Sequence, residues 1–250
     1  MLLRSERLTK KDIEYWPDFA EYVTEKVPSK SLGVMAAKAI EAIATSAKSG
    51  PTYVSVSWGK DSVVVAHLAQ LAGLELPYVW LKESPMHNPH CEDVRDVYLS
   101  RFPETQYHEV VLDYGRVGFT PFLDSGGDSI YFHAIADAVN KTFGKRITGI
   151  RSVESNKRRL RMSHYGIETK NTVAPIGWWS TEAVFAYLIK HDLPIHPNYA
   201  MTGGGRHDPL RIRVDCIAGT QGNGIGREEW EREYYGDIVN RLAANKRGAI

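Results

Sequence analysis

An α/β fold built on a doubly wound, mostly parallel sheet is what this 250-residue chain predicts, on three observations. Apolar strand-like runs alternate with helical stretches between residues 51 and 200, the pattern of successive βαβ units. The first of these runs breaks into a glycine turn that opens a helix, "VSVSWGKDSVVVAHLA" from Val54 to Ala69. Helical segments stand before and after the alternation, and 43% of residues are apolar, enough for a sizeable core.

Taken in order, residues 1–50 read as an N-terminal helical segment packing on the core. In "SLGVMAAKAIEAIATSAKSG" the Ala, Ile and Met positions recur at helical spacing, and Gly50-Pro51 stops the run. Residues 51–200 read as the ligand-binding α/β domain. Strands are expected at "TYVSVS" (52–57), "LPYVWLK" (77–83), "YHEVVLD" (107–113), "RITGIR" (146–151) and "NTVAPIG" (171–177). Helices are expected to begin near Asp61, Pro89, Ile130, Glu154 and Ser180, and "DSGGDS" (124–129) reads as a turn. Residues 201–250 belong to the same domain. Their first half, "TGGGRHDPLRIRVDCIAGTQGNGIGR", is Gly-rich without sustained period and is expected to be a long mobile loop of the lid type. "REEWEREYYGDIVNRLAANKR" reads as a terminal helix.

Formal net charge is +1, so no global field draws the chain to nucleic acid or membrane, and any basic site must be local. No apolar run approaches the ~20 residues of a membrane helix, and "MLLRSERLTKKDIEYW" is too polar for a signal peptide. A cytoplasmic protein without membrane partner is the expectation. The two cysteines, Cys91 and Cys216, are far apart, which excludes a disulfide framework and a four-cysteine zinc or iron–sulfur site. "SPMHNPHCEDV" (84–94) carries His87, His90 and Cys91 in an H-x-x-H-C spacing, with no fourth metal ligand evident.

The turn itself suits an anion. Backbone amides at a helix N-terminus and the helix dipole attract negative charge. Lys60 adds a full charge, Ser57 and Ser62 add hydroxyls, and Asp61 can cap the helix or help hold Mg²⁺. The Walker pattern does not fit, because Val54 stands at its first glycine and Asp61 at its Ser/Thr.

"SWGKDS" resembles the S-G-G-K-D-S pyrophosphate (PP-) loop of the adenine nucleotide alpha hydrolases. Ser57, Gly59, Lys60, Asp61 and Ser62 match, while Trp58 stands where the first glycine is usual. "TGIRSVESNKRR" from Thr148 resembles the G-x-R-x-x-E-S segment of the phosphoadenosine phosphosulfate (PAPS) reductase-like branch, with Gly149, Arg151, Glu154, Ser155 and Arg158 on the matching places. Lys157, Arg158, Arg159 and Arg161 cluster there, and guanidinium forks suit phosphate or sulfate. "APIGWWSTEAVFAYLIKHDLPIHPNY" is similar to a third family segment and reads mainly as core, with Trp179, Phe185 and Tyr187 packing.

The resemblance implies a Rossmann-like fold of the adenine nucleotide alpha hydrolase type and a nucleotide, ATP or PAPS, with Mg²⁺ on Asp61. The expected ligand-binding set is Ser57, Trp58, Gly59, Lys60, Asp61, Ser62, Gly149, Arg151, Glu154, Ser155 and Arg158. The leading expectation is an enzyme that binds ATP and cleaves or transfers at the α-phosphate with pyrophosphate release. It would adenylate an acceptor the sequence does not name, in a role that includes sulfur transfer, with Lys60 and Asp61 at the reaction centre. The alternative is sulfonucleotide reduction by Cys216 with a thioredoxin-like reductant and no iron–sulfur cluster. Against it, "ANKRGAI" carries no E-C-G-[IL]-H tail, and Gly219 replaces the second cysteine of the family's later C-x-x-C. A third reading is a binding module with the site kept and turnover lost. A homodimer is compatible with all three.

Overall fold

The computed structural model describes residues 1–84, 87–113, 127–214, 217 and 227–247. Five parallel strands form one sheet in the order β3-β2-β1-β4-β5: β1 Thr52–Val56, β2 Tyr78–Ser84, β3 Tyr107–Asp113, β4 Lys145–Ile147 and β5 Thr172–Val173. Register pairs Val54 with Tyr78, Tyr53 with Arg146 and Tyr78 with Tyr107. Eight α-helices are described: α1 Lys10–Lys26, α2 Ser29–Lys48, α3 Lys60–Leu71, α4 His90–Arg101, α5 Gly127–Phe143, α6 Asn156–Tyr165, α7 Thr181–Lys190 and α8 Arg227–Arg247.

Alternation along β1 explains the two layers. Val54 and Val56 point to one face and join the large core with α3, α4, α7 and both N-terminal helices, through Val64, Leu68, Tyr98, Phe185, Phe19 and Ile43. Tyr53 points to the other face and packs with Val79, Val139 and Phe143 beneath α5. Helices therefore cover both sides of the sheet, the doubly wound arrangement expected. The chain runs outward from β1 to β3, then returns to the other side of β1 at β4. That switch leaves a crevice beyond the carboxyl ends of β1 and β4, where open parallel sheets bind ligands.

Three expectations change. The fourth strand stops at Ile147 rather than Arg151, because Gly149 leaves the ladder to lie against the backbone of Asp61. The fifth covers only Thr172–Val173: Pro175 has no N–H for a ladder, and Gly177 N turns back to Ala174 O at 2.8 Å. Of the turn expected at 124–129, the described residues 127–129 belong instead to the start of α5. In its described part, 202–214, the glycine-rich segment is tied by hydrogen bonds to α1 and α8. Asp12 Oδ1 accepts from the amides of Thr202 (2.9 Å) and Gly203 (2.7 Å), and Tyr234 OH of α8 lies 3.0 Å from Oδ2. Gly203, Gly204 and Gly205 have φ of 62°, 73° and 95°, which aims the Gly203 and Gly204 amides at the Asp12 carboxylate and the Gly205 amide at Thr202 Oγ1, 3.1 Å away.

Asp12 is fully buried. Burial opposes its charge, but the hydrogen bonds from Thr9, Thr202 and Tyr234 outweigh it and hold the carboxyl below its ordinary 3.8. A carboxyl depressed in the folded state stabilises above its unfolded pKa, and that stability is lost as pH falls through the folded value. Thermal unfolding followed from pH 7 to 3 should show stability declining below about pH 4. Asp12→Asn should flatten that acid limb and cost about 1.5–3 kcal/mol at pH 7. An unchanged acid limb in the variant would refute the clasp. Among the described residues, no helix is long and apolar enough to cross a membrane.

Candidate functional site

Beyond Val56 the chain leaves the sheet at Ser57, turns at Trp58 and enters α3 at Lys60 with Gly59 as N-cap. The left-handed residue of this turn is Trp58, at φ 60°, whereas Gly59 is extended at φ −79°, ψ 166°. An L-residue there is costly. The indole offsets that cost by full burial, with ring centroids 5.5 Å from Tyr98 and 5.7 Å from Tyr107. The expected role of Trp58 as a ligand contact is thus corrected: its side chain anchors the loop from below. Ser62 Oγ closes the turn, accepting from Ser57 N at 3.2 Å and donating to Gly59 O at 3.0 Å.

Charge is concentrated at the mouth of α3. Lys60 Nζ lies 3.0 Å from Asp61 Oδ2 and 5.1 Å from the centre of the Tyr199 ring. Lys60 N donates to Tyr199 OH at 3.0 Å. Arg151 Nε reaches Asp61 Oδ1 at 2.6 Å, and its Nη1 reaches Thr181 Oγ1 at 3.1 Å. Burial opposes the Asp61 charge, yet the Lys60 and Arg151 cations hold the carboxyl below its ordinary range. Burial, reinforced by Asp61, pushes the Tyr199 phenol well above its ordinary value, so it stays a neutral hydroxyl. Arg151 N donates to Glu154 Oε2 at 2.8 Å, Glu154 pairs with Arg158, and Arg213 Nη2 donates to Glu154 O at 2.9 Å.

A cleft of ≈ 410 Å³ opens between the two strand ends. Of the expected set, Ser57, Gly59, Lys60, Asp61, Ser62, Gly149, Glu154 and Arg158 line it. Arg151 and Ser155 do not. Arg151 is 2% exposed and braces Asp61 from behind, and Ser155 caps α6 by accepting from Arg158 N at 3.2 Å. Lys157, Arg159 and Arg161 do not line it either. Tyr199 and Arg213 do, and the sequence reading missed both: Tyr199 sits in a segment read as core, and Arg213 in one read as mobile loop. Asp61 does not fit a magnesium ligand, since each of its oxygens already faces a cation. Cys216 lies outside the described residues.

Ser55, Val56, Ser57 and Val214 also wall a second pocket of ≈ 190 Å³, which runs on to Trp80, Leu81, His87, Asn88, Cys91 and Arg146. Asn88 is 2% exposed, yet among the described residues its Nδ2 has no hydrogen-bond partner, nor has His87 Nδ1 or Arg146 Nε. Buried polar atoms rarely stay unpaired. His87 Nε2 is 3.1 Å from Glu92, and burial with the nearby Lys82 charge holds the imidazole below its ordinary 6.5. With Nε2 turned to the Glu92 carboxylate, a neutral ring would leave Nδ1 as the accepting nitrogen. His90 turns away to Ser5 (3.0 Å) and Asp93 (2.8 Å), so the H-x-x-H-C spacing does not converge. Among the described residues, no three His, Cys, Asp or Glu side chains group as a metal site.

Solved structures share this architecture. The PAPS reductase of Candida auris, in a phosphate complex, aligns over 68% of this chain and 90% of its own at TM-score 0.50 and 14% identity. The NMN synthetase of Francisella tularensis aligns over 88% and 95% at TM-score 0.51 and 12% identity. The chain has the fold of these enzymes. At such identities the likeness concerns backbone architecture, the Rossmann-like α/β sheet that the sequence predicts. No protein-family model matches the sequence, and no curated protein does.

Proposed function

We propose that the chain is a PP-loop enzyme of the adenine nucleotide alpha hydrolase superfamily that binds ATP and transfers its adenylyl group, releasing pyrophosphate. One observation carries the reading: the wall Ser55–Ser57 is common to the basic cleft and to the second pocket. A ligand with an anionic end and a flat polar end would lie across both. The phosphates would take the cleft, against the first-turn amides of α3, Lys60 and Arg158. The base would take the pocket between Trp80, Leu81 and Val56, where Asn88 Nδ2 can donate to a ring nitrogen and His87 Nδ1 can accept from an exocyclic amine.

The reaction follows from that placement. An acceptor nucleophile attacks the α-phosphorus, the bond to the β-phosphate oxygen breaks, and pyrophosphate leaves with the electron pair. Negative charge moves onto the leaving oxygens, where Lys60 and the fixed amides would stabilise it without reorganisation. Asp61 would hold Lys60 in place. Magnesium would enter on the nucleotide, as part of the substrate, rather than on Asp61.

Calorimetric titration with ATP, PAPS and adenosine tests this. ATP should bind, and Lys60→Ala should weaken it by about 1.5–3 kcal/mol, roughly tenfold or more, through loss of a charge-assisted contact. Adenosine affinity should change little. Tighter binding of PAPS than ATP would favour sulfonucleotide chemistry, and no heat from any adenine nucleotide would refute the site.

A further inference from the structure

Helix α6 is unlike the rest of the molecule. Its ten residues, Asn156–Tyr165, carry Lys157, Arg158, Arg159 and Arg161 and no acid, in a chain whose net charge is +1. Met162 is its one buried side chain. A helix this short is marginal in water without a buried face. Ser155 caps it, but most of its surface faces solvent, including Leu160 (67% exposed) and Tyr165 (66%). Lys157, Leu160, Arg161 and His164 follow i, i+3, i+4, i+7 spacing and share one stripe. Tyr165 closes the helix with its ring edge-on to His164 at 4.4 Å. Beside the helix start, Ser152 N bonds Gly177 O at 2.7 Å, and the residues that follow each of them, Val153 (56%) and Trp178 (55%), are exposed. The surface is continuous with the cleft, because Arg158 belongs to α6 and also lines the cleft.

We propose that this face binds single-stranded nucleic acid and presents the acceptor group to the cleft; only the second clause rests on the nucleotide-site reading above. Charge complementarity selects the occupant. Cations along one helix track a phosphate backbone, and exposed Tyr165 and Trp178 offer faces on which bases stack without sequence preference. An anionic membrane fits less well. Leu160 is flanked by Lys157 and Arg161 on its own stripe, so the helix has no apolar side to sink into a bilayer.

The test is fluorescence anisotropy with labelled 20-nucleotide single-stranded RNA and DNA across a salt series. Phosphatidylserine vesicles and ATP-induced thermal stabilisation are measured in parallel. The wild-type chain should bind the single strands, more weakly as salt rises. The double variant Lys157→Glu, Arg161→Glu should bind at least tenfold more weakly. Its log–log salt slope should be smaller by about 1.4, since each lost contact removes about 0.7. Tyr165→Ala and Trp178→Ala should each weaken binding with the slope unchanged, which also guards against misfolding of the double variant. ATP stabilisation should persist in all of them. Equal affinity in wild type and double variant overturns the proposal, as does binding to vesicles without binding to either oligonucleotide. If oligonucleotides bind as expected while ATP does not stabilise the wild type, the nucleotide reading falls and the surface stands.

Discussion

Asp61→Ala should destabilise the fold by about 3–5 kcal/mol, the usual consequence of removing one partner of a buried ion pair. Arg151 is 2% exposed and Lys60 5%, so neither cation can turn to water when the carboxylate is gone. Arg151 would keep Thr181 Oγ1 and Trp179 O but lose its 2.6 Å contact to Asp61. For a chain of this size the midpoint of thermal unfolding should fall by roughly 10 °C. A second substitution, Arg151→Met, should restore part of the loss by removing the stranded charge, whereas a packing defect would only deepen. A single variant as stable as the wild type would show that the triad is not what joins α3 to the end of β4.

Gly149→Ala is expected to abolish nucleotide binding and to lower stability, and the contrast with Gly59→Ala makes the reason visible. A Cβ at Gly149 would lie 2.9 Å from the Asp61 carbonyl carbon and 3.0 Å from its oxygen, both backbone atoms of the first turn of α3. Relief would require the two strand ends to move apart, pulling Arg151 from Asp61 and opening the cleft. A Cβ at Gly59 would meet the Tyr199 hydroxyl at 3.3 Å, which a small side-chain shift relieves, and the backbone there already has an ordinary φ. ATP titration of both variants, with circular dichroism to follow folding, reads the difference. Equal behaviour of the two would refute the close approach of β4 to the α3 N-terminus.

Much of the architecture is legible locally. The five apolar runs, the alternation with helical stretches, and Ser180 as a helix cap depend on residues a few positions apart, and each recurs in the structure. The glycine turn is likewise found between a strand and a helix N-terminus. Its inner workings were not legible. The motif suggested that glycine supplies the unusual backbone, but Trp58 does so, and only the pocket between Tyr98 and Tyr107 makes that conformation affordable. Similarly, Arg151 has the residue type of an anion ligand and sits in a matching segment, yet burial behind Asp61 gives it a bracing position.

What the sequence alone determined, then, is the order and type of the elements and the chemical character of the loop, because periodicity, turn residues and capping are short-range properties. Tertiary structure alone decided which side chains meet across the crevice. Tyr199 reaches Lys60 across 139 positions, and Asp12 reaches Thr202 across 190. Asn88 and His87 each bring a side-chain nitrogen without a partner among the described residues to a pocket walled by β1 and β2. Such contacts depend on where whole elements pack, and packing is set by the summed burial of many apolar residues rather than by any motif around the partners.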